Sequence, residues 1–371
     1  MTSKRFIRVL LTGLLMVSLL AGCQTGSNTA ASSGESTPQS SQSTTEASLA
    51  PESDETGETE DVVDEPIEVP GSSDGVEIRV GALKGPTGMA MASLMAADEH
   101  GDSSQKYEFT IVDAPDQIAP LLTNGELDIA AMPVNMASIL YNKTGGEIQM
   151  LAVNTLGVIY VLTNDETISS VEDLRGKTIY ATGQGASPEY VLNHVLRENG
   201  IDPEADVEIE YKSEHSELAT LLGAGEVSIA VLPEPFVTTV TMQNPQIQIA
   251  LDLTKEWETV SDGAVQTTGC IVARKGFIES RKQELDQFLT EYAASAEFAV
   301  SNVDEAADIM AQFEIIPKAA VAKQAIPRCN IVYLDGADMK KAAGTYLDVL
   351  LQANPQSIGG ALPNDDFYYE K

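Results

Sequence analysis

The chain has 371 residues, and its 56 acidic and 22 basic side chains give a formal net charge of −34 at neutral pH. Nucleic-acid binding depends on basic patches, so this balance argues against a nucleic-acid partner. It does not exclude an anionic small molecule, because backbone amides can bind an anion locally without net positive charge. After residue 20, no apolar run reaches the length of about 20 residues that a membrane-spanning helix needs.

The first 23 residues predict an export signal followed by a lipid anchor. Basic residues occupy positions 4, 5 and 8, and residues 9–20 form an apolar run too short for a stable membrane span. The run ends in Leu20-Ala21-Gly22-Cys23, which resembles the lipobox of bacterial lipoproteins. The resemblance implies a signal peptide over residues 1–22, cleavage before Cys23 and attachment of lipid to its thiol. The alternative is an ordinary secretory signal with a chance cysteine.

Residues 23–76 have the composition of a flexible tether. They are rich in Ser, Thr, Gly and Pro, and residues 24–76 contain 12 acidic and no basic side chains. Such a segment buries too little apolar surface to offset its chain entropy, so we expect it to stay disordered. A lipoprotein on such a tether is expected at the extracytoplasmic face of the cell membrane. The length of the tether suits the outer face of a Gram-positive bacterium.

From residue 76 onward the pattern predicts alternating strands and helices. Gly125 is expected to cap the second helix, and Pro133 to end the third strand. This alternation is typical of a parallel sheet covered by helices. The predicted elements are a strand at 76–82, a glycine loop at 84–88, a helix at 89–99, a strand at 109–112, a helix at 114–124 and a strand at 127–132.

The chain then repeats itself at a distance of one hundred residues. Residues 121–133 and 221–233 are identical at seven of thirteen positions. A repeat of that length fits a small α/β lobe. The second unit predicts a strand at 177–181, a loop at 183–188, a helix at 189–199, a strand at 207–211, a helix at 214–222 and a strand at 227–232.

The repeat predicts two similar lobes that face one another across a cleft. Each unit is followed by an apolar strand, at 157–163 and at 269–274, and we interpret these strands as the two crossovers between lobes. Lobe 1 is expected to comprise residues 77–162 and 275–371, and lobe 2 residues 163–274. The helical C-terminal part is expected to pack on lobe 1. Clefts of this kind are where small molecules bind, so the function is sought there.

Four loops at matched positions of the two lobes form the predicted ligand-binding site. In an open parallel sheet, ligands bind outside the carboxyl ends of the strands, where loops lead into helices. Glycines before a helix let backbone N–H groups approach a ligand, although ordinary turns have a similar composition. Thr87 and Ser187 also fit helix N-caps. The predicted ligand-binding residues are Lys84, Gly85, Pro86, Thr87, Gly88, Pro133, Asn135, Gln184, Gly185, Ser187, Pro233, Glu234 and Trp257.

Glu234, Trp257 and two cysteines each have two possible interpretations. Glu234 lies between two prolines, where it could meet a cationic or N–H-bearing group of a ligand or remain an exposed carboxylate at the rim. Trp257, the only tryptophan, could stack on a ligand or belong to the core. With Cys23 lipidated, Cys270 and Cys329 could form one disulfide or stay as buried thiols.

Patterns typical of catalysis or metal binding are missing from the sequence. His100, His194 and His215 share no motif, and we interpret them as solvated or capping side chains. Neither a nucleophile elbow, a Walker loop, His-Glu-x-x-His nor Cys-x-x-Cys occurs. The sequence therefore predicts a protein that is not an enzyme and that uses no cofactor or metal.

Three segments resemble the substrate-binding proteins of ABC importers, and in particular the nitrate/sulfonate/taurine type, which includes thiamine-precursor binders. They are Lys84–Gly88, Val171–Ile179 and Gly225–Ala230, and the resemblance covers roughly residues 77–315. It implies the two-lobed α/β fold of type II periplasmic binding proteins, in which each lobe is a mainly parallel sheet flanked by helices and two strands cross over. It also implies that a monomer captures a small molecule by lobe closure and delivers it to a membrane permease. Because no arginine occurs in the four loops, an anion would depend on Lys84, hydroxyls and backbone amides.

Two other functions remain open from the sequence. Some menaquinone-pathway enzymes resemble binding proteins of this type, although they work in the cytoplasm and an export signal argues against that interpretation. A surface adhesin lipoprotein would need an exposed apolar or repeated face rather than a cleft.

Overall fold

The computed structural model describes residues 77–113, 115–164, 167–261 and 264–371. The export signal, the lipidated Cys23 and the tether predicted over residues 1–76 lie outside these described residues. Within them, no helix combines the length and the apolar character that crossing a membrane would require.

Eleven strands and thirteen α-helices are assigned in the described residues. The strands are β1 Ile78–Leu83, β2 Tyr107–Val112, β3 Ile129–Pro133, β4 Ile148–Leu156, β5 Ile159–Thr163, β6 Thr178–Thr182, β7 Glu208–Lys212, β8 Ile229–Pro233, β9 Gln248–Asp252, β10 Thr267–Arg274 and β11 Ile331–Leu334. The helices are α1 Pro86–Met89, α2 Ala92–His100, α3 Pro115–Thr123, α4 Val134–Thr144, α5 Ser187–Glu198, α6 His215–Ala224, α7 Phe236–Gln243, α8 Leu253–Val260, α9 Lys275–Ser280, α10 Lys282–Ser301, α11 Val303–Gln312, α12 Ala319–Ala325 and α13 Gly336–Ala353.

The strands form two sheets, one for each lobe. The first sheet has the order β11-β4-β10-β3-β1-β2, and the second has the order β7-β6-β8-β5-β9. In the first sheet β1 is parallel to β2 and β3, and β10 runs antiparallel between β3 and β4. In the second sheet β6 is parallel to β7 and β8, and β5 runs antiparallel between β8 and β9. Two mainly parallel sheets flanked by helices were predicted, and this fold class is confirmed.

The two sheets correspond strand for strand. The order β4-β10-β3-β1-β2 in lobe 1 matches β9-β5-β8-β6-β7 in lobe 2, and each sheet has its antiparallel strand at the same place. The chain enters β5 directly after β4, and it enters β10 after β9 and α8. Each lobe therefore receives its antiparallel strand from the chain that has just left the other lobe. These strands are the two predicted crossovers.

The strand pairing divides the chain differently from the predicted lobe boundaries. We assigned residues 77–162 to lobe 1 and 163–274 to lobe 2, whereas β5 hydrogen-bonds within the second sheet and β10 within the first. The reason is that a crossover strand completes the sheet that it enters, and not the sheet that it leaves. By sheet membership, residues 159–252 build the second sheet.

The repeated sequence motif has a simple structural basis. Gly125 and Gly225 both have a φ of 75°, the left-handed region in which glycine carries no steric cost. Gly225 is the C-cap of α6, and its amide donates to Leu221 and Leu222. The following strands, β3 and β8, are buried along four of their five residues. The repeat thus encodes a helix end followed by a central strand in each lobe.

The C-terminal helices pack on both lobes. As predicted, α10 lies on α2 and β11 of lobe 1. The contacts of α12 with α7, and of α13 with α5, reach lobe 2, which the sequence did not predict. Cys270 and Cys329 are buried free thiols rather than a disulfide, and burial raises the pKa of both.

Candidate functional site

A cavity of about 490 Å³ lies between the two lobes, at the carboxyl ends of their parallel strands. Lys84 follows β1, Asp113 follows β2, and Pro233 ends β8. This is the place at which an open α/β sheet binds its ligands. The residues that line the cavity are Lys84, Gly85, Pro86, Thr87, Asp113, Val158, Glu214, His215, Pro233, Glu234, Pro235, Phe236, Thr268, Ile315, Ile316 and Pro317.

Six of the thirteen predicted ligand-binding residues line this cavity: Lys84, Gly85, Pro86, Thr87, Pro233 and Glu234. Gly85 has a φ of 90°, and a Cβ built there would meet no atom within 4 Å. Its amide donates to the carbonyl of Ile315 at 2.9 Å, which fixes the loop against the segment between α11 and α12. Gly88 does not line the cavity. A glycine is needed there for packing, because a Cβ added at this position would lie 2.0 Å from the carbonyl oxygen of Leu83.

Five predicted residues lie in the other pair of loops and do not line the cavity: Pro133, Asn135, Gln184, Gly185 and Ser187. The C-terminal segment Asn354–Ile358 joins these loops instead. The Asn135 amide donates to the carbonyl of Ser357 at 3.3 Å. The Asn354 amide donates to the hydroxyl of Tyr190 at 2.9 Å, and this hydroxyl donates to the carbonyl of Gly185 at 3.1 Å.

Trp257 lies in the core rather than on the cavity wall. Its side chain is fully buried. Its ring centroid is 4.5 Å from that of His194 on α5 and 5.6 Å from that of Tyr346 on α13. Of the two alternatives left open by the sequence, the structure places Trp257 in the core.

Among the residues that the structure describes, Lys84 is the one lysine that lines the cavity. Its Nζ lies 2.8 Å from Oδ1 of Asp113, across the ends of β1 and β2. The hydrogen bond to Asp113 raises the pKa of Lys84. Both side chains are substantially exposed, so the pair is screened by solvent and remains free to rearrange around a ligand.

Glu234 forms a buried ion pair instead of facing solvent at the rim. Its carboxylate accepts from Nε of Arg328 at 2.5 Å, and from the backbone amide and hydroxyl of Thr238 at 3.0 Å each. Burial raises the pKa of Glu234, and the Arg328 guanidinium opposes that shift. The sequence suggested a cationic partner in a ligand, whereas the cation that Glu234 meets belongs to the protein.

This ion pair connects the lobes. Glu234 follows β8 of lobe 2, whereas Arg328 precedes β11, which belongs to the sheet of lobe 1. The Tyr160 hydroxyl of β5 donates to the carbonyl of Arg328 at 2.9 Å. The Asn330 amide donates to the carbonyl of Gly157 at 2.6 Å, next to the first crossover. The turn around residues 328–330 is therefore anchored where the chain passes between lobes.

Several cavity residues were missed from the sequence. Asp113 and Glu214 follow the second strand of each unit at nearly matched positions, so the strand-end rule applied to β2 and β7 would have found them. His215, which we interpreted as a solvated or capping side chain, is the first residue of α6 and lines the cavity. No signal in the sequence marked Ile315–Pro317, because a loop between two helices comes to the cavity only through tertiary packing.

The cavity combines an apolar wall with a few polar groups. Its apolar side chains come from both lobes, among them Val158, Phe236 and Ile315, and its polar groups include Thr87 and His215. Such a lining suits a small organic molecule with an apolar body and a polar end. In the described ranges, no group of three or more His, Cys, Asp or Glu side chains is placed to hold a metal ion.

Comparison with known proteins gives consistent matches. Residues 103–324 match the family model described as ABC transporter, phosphonate, periplasmic substrate-binding protein. A binding protein of Brucella abortus is 21% identical over 257 residues, which cover 68% of this chain and 76% of that protein.

Solved structures share the fold. An ABC transporter protein from Parabacteroides distasonis superposes with a TM-score of 0.68 at 25% identity, over 80% of this chain and 99% of that chain. The periplasmic aliphatic sulphonate binding protein SsuA from Escherichia coli has a TM-score of 0.61 at 17% identity, over 78% and 92%. The alkanesulfonate-binding protein SsuA from Xanthomonas axonopodis, bound to MOPS, has a TM-score of 0.56 at 18% identity, over 79% and 96%.

Proposed function

The chain belongs to the phosphonate-type family of periplasmic substrate-binding proteins of ABC transporters, and from that premise we propose that it captures a small organic oxyanion in the cavity between its lobes. The observation that carries this proposal is the cavity itself, because both lobes contribute its walls at the carboxyl ends of their strands. A molecule bound there contacts both lobes at once. It acts as a captured solute, and the protein binds it without catalysing a reaction.

The proposed solute is an alkyl sulfonate or phosphonate, with nitrate, taurine and thiamine precursors as further members of the tested set. Two of the structural neighbours are named for sulfonate binding. In this chain, Lys84, Thr87 and His215 offer polar contacts to the charged end, and Phe236 offers an apolar contact to the alkyl part. No arginine of the described ranges lines the cavity, so hydroxyl, imidazole and backbone donors must supplement Lys84.

Closure of the lobes is the proposed mechanism of capture. The segments that lead into the two crossover strands, residues 157–158 before β5 and residues 264–266 before β10, are the connections that would bend. Open and closed forms of such proteins differ by a few kcal/mol, so a ligand that contacts both lobes shifts the population to the closed form. A ligand with micromolar affinity supplies roughly 8 kcal/mol, part of which offsets the cost of closure.

The proposed place of work is the outer face of a Gram-positive cell membrane. There the lipid on Cys23 would hold the monomeric protein near its permease, and residues 24–76 would act as the tether. The supporting observations are the lipobox-like segment and the acidic, Ser- and Thr-rich composition that follows it. Metabolic labelling with a fatty-acid analogue tests this point: a wild-type chain should be labelled and the C23S variant should not.

Isothermal titration calorimetry of the full chain as its C23S variant tests the capture of a solute. The panel comprises butanesulfonate, butylphosphonate, nitrate, taurine, a thiamine pyrimidine and butylamine as the cationic control. We expect at least one oxyanion to bind with a Kd near the micromolar range, and butylamine not to bind. Failure of every oxyanion, or tighter binding of butylamine, would contradict the proposed solute class.

A further inference from the structure

Two buried polar residues lie near the end of the otherwise apolar core strand β4. The buried residues of β4 are apolar up to Val153, whereas Asn154 and Thr155 are polar and fully buried. A buried amide or hydroxyl is costly unless its hydrogen-bonding groups are paired. Both side chains contact the loop Lys84–Gly88, which lines the cavity along most of its length, so we sought their role in this loop.

The side-chain amide of Asn154 has a fixed orientation. Its Nδ2 donates to the carbonyl of Thr87 at 2.9 Å and to the hydroxyl of Tyr292 on α10 at 2.9 Å. Its Oδ1 accepts from the hydroxyl of Thr155 at 3.0 Å. A carbonyl only accepts hydrogen bonds, so the nitrogen and not the oxygen of the amide must face Thr87. Both protons and the oxygen of the Asn154 amide are therefore paired.

The bond from Asn154 fixes one peptide group of the cavity loop. The carbonyl of this group belongs to Thr87 and its amide to Gly88, and the Gly88 amide donates to the carbonyl of Gly85 at 3.0 Å. Because a peptide group is planar, bonds at both of its ends determine its orientation. Thr87 lines the cavity, so the orientation of this peptide group sets the shape of the wall at that point.

A glycine on the crossover strand β10 leaves the space for this network. A Cβ added at Gly269 would lie 2.5 Å from Oδ1 of Asn154, 3.1 Å from Oγ1 of Thr155 and 3.1 Å from Cγ2 of Thr87. Gly269 also pairs with Thr155 in the sheet, and its neighbour Thr268 lines the cavity. The network therefore lies between the crossover strand and the cavity loop.

We propose that Asn154 is a positioning residue for solute capture, which holds the Thr87–Gly88 peptide group and so keeps the cavity loop in shape before a solute binds. The proposal rests on the proposed function and adds how the loop is preorganised. Asn154 does not itself line the cavity, so it acts through Thr87. A loop that is already ordered loses less conformational entropy when a solute binds, which favours affinity.

Hydrogen exchange of the full-length C23S chain tests the positioning without any ligand. N154L removes both donors at similar side-chain volume and leaves the carbonyl of Thr87 without this partner. The Gly88 amide belongs to the peptide group that is released, so it should exchange about 10-fold faster than in wild type. Unchanged exchange at Gly88 in N154L would overturn the proposal.

S295A is the matched control for N154L. Ser295 lies on α10 and is 3% exposed, and its hydroxyl donates to the carbonyl of Ala90 at 2.6 Å, two residues beyond the cavity loop. S295A thus removes a buried contact to the adjoining chain and leaves the Thr87–Gly88 peptide group bonded. Exchange at Gly88 should stay within about threefold of wild type. Equal acceleration in S295A and N154L would show that Asn154 contributes only general stability.

G269A tests the same network without changing Asn154, and it decides the question if N154L folds poorly. Gly269 has no positive φ, so alanine fits the backbone there, but its Cβ would displace the Asn154 amide. Exchange at Gly88 should accelerate in G269A as it does in N154L. Wild-type exchange at Gly88 in a folded G269A would contradict the proposal.

Calorimetry with butanesulfonate measures the consequence for capture. N154L should bind about 10-fold more weakly than wild type, whereas S295A should bind within about threefold of wild type. If wild type binds and N154L binds equally well, this proposal fails alone. If wild type binds none of the oxyanions of the panel, the proposed function fails, while exchange at Gly88 still decides whether Asn154 positions the loop.

Discussion

Two loops that the sequence repeat makes equivalent have different roles in the structure. Lys84–Gly88 in lobe 1 lines the cavity along most of its length, whereas Gly183–Ser187 in lobe 2 does not contribute to it. The loops after the third strands show the reverse, because Pro233–Phe236 lines the cavity and Pro133–Asn135 does not. The cleft thus has an open half, formed by Lys84–Thr87 with Pro233–Phe236, and a second half formed by the two other loops.

The C-terminal segment accounts for the difference between the halves. Asn354–Ile358 bonds to Tyr190 of lobe 2 and to Asn135, Ser138 and Asn142 of lobe 1, so we call the second half the bridged half. Duplication creates two comparable sets of strand ends, and a segment outside the duplicated units ties one set together. The other set retains the space for a solute.

The largest expected effect concerns the ion pair of the open half. In R328A the carboxylate of Glu234 would stay buried without its cation, which costs about 3 kcal/mol in unfolding free energy. The bridged half has no matching buried carboxylate whose stability depends on a cation, because the position equivalent to Glu234 is the buried Val134. Urea unfolding of R328A and of wild type at pH 7 measures the difference. K323A, which removes an exposed ion pair with Asp304, should change stability by less than about 1 kcal/mol.

The pH dependence of R328A has a defined sign. Without Arg328, burial raises the pKa of Glu234 further above its unfolded value, so the folded state binds its proton more tightly. The unfolding free energy of R328A relative to wild type should therefore recover as pH falls, and decline as pH rises through the raised pKa. E234Q combined with R328M should regain part of the loss at pH 7. A constant deficit from pH 7 to pH 5 would show that the charge of Glu234 is not its cause.

The second expected effect compares the matched glycines of the two halves. Gly85 and Gly185 have φ values of 90° and 74°, and a Cβ at either position meets no atom within 4 Å. G85V and G185V should therefore lose similar stability, about 1–3 kcal/mol each, from backbone strain. Only G85V places its side chain at the cavity wall, so it should weaken binding of butanesulfonate by about 100-fold through steric overlap.

G185V is the matched control for G85V. G185V should retain the wild-type Kd for butanesulfonate within about threefold, because its side chain lies in the bridged half. Differential scanning calorimetry with and without the probe gives both quantities from the same samples. Equal loss of affinity in the two variants would mean that both halves contact the solute, and that the distinction between them is wrong.

A smaller effect is expected at the contacts that define the bridged half. Ser138 is fully buried, and its hydroxyl donates to the carbonyl of Ile358 at 2.9 Å. S138A should lower the unfolding free energy by about 1 kcal/mol, because the Ile358 carbonyl loses one of its two hydrogen bonds and keeps that from Asn142. Hydrogen exchange should accelerate at Ser357 and Gly359, whereas the affinity for butanesulfonate should stay unchanged. Weaker binding in S138A would show that the bridged half also shapes the cavity.

The sequence predicted the two lobes because the strand and helix patterns that build them are local. Predictions from the sequence failed for features that depend on packing between distant segments of the chain. The repeat around Gly125 and Gly225 led to the paired sheets and to both loops of the open half. Strand β4 was missed although Gly145 and Gly146 separate it from α4, because its burial on both faces removes the polar–apolar alternation that marks a half-exposed strand. The partner of Glu234 could not be found either, because Arg328 lies 94 residues further along the chain.

The sequence also could not predict which half of the cleft forms the cavity. Nothing in residues 183–188 differs in kind from residues 84–88, and both were predicted to bind a ligand. Their difference comes from Asn354–Ile358, a segment with ordinary turn composition whose position follows from the packing of α13 on both lobes. Local patterns define which loops have the composition of a binding loop, and long-range contacts define which of these loops line the cavity.

The smallest expected effect separates the halves by the titration of two histidines. Burial lowers the pKa of His215 in the open half and of His194, which packs on Trp257 beside the bridged half. Each ring is therefore less protonated in the folded than in the unfolded chain, whose pKa is about 6.5, so unfolding free energy should fall as pH drops below that value. Each histidine can contribute at most about 1.4 kcal/mol per pH unit to the dependence of the unfolding free energy on pH.

Urea unfolding of H194Q and H215Q from pH 7.5 to pH 5 measures these contributions. Each substitution should reduce the slope of the unfolding free energy against pH. Saturating butanesulfonate should alter the contribution of His215 and leave that of His194 as it was, because only one of the two rings lines the cavity; an equal response of both rings to the probe would contradict the division of the cleft.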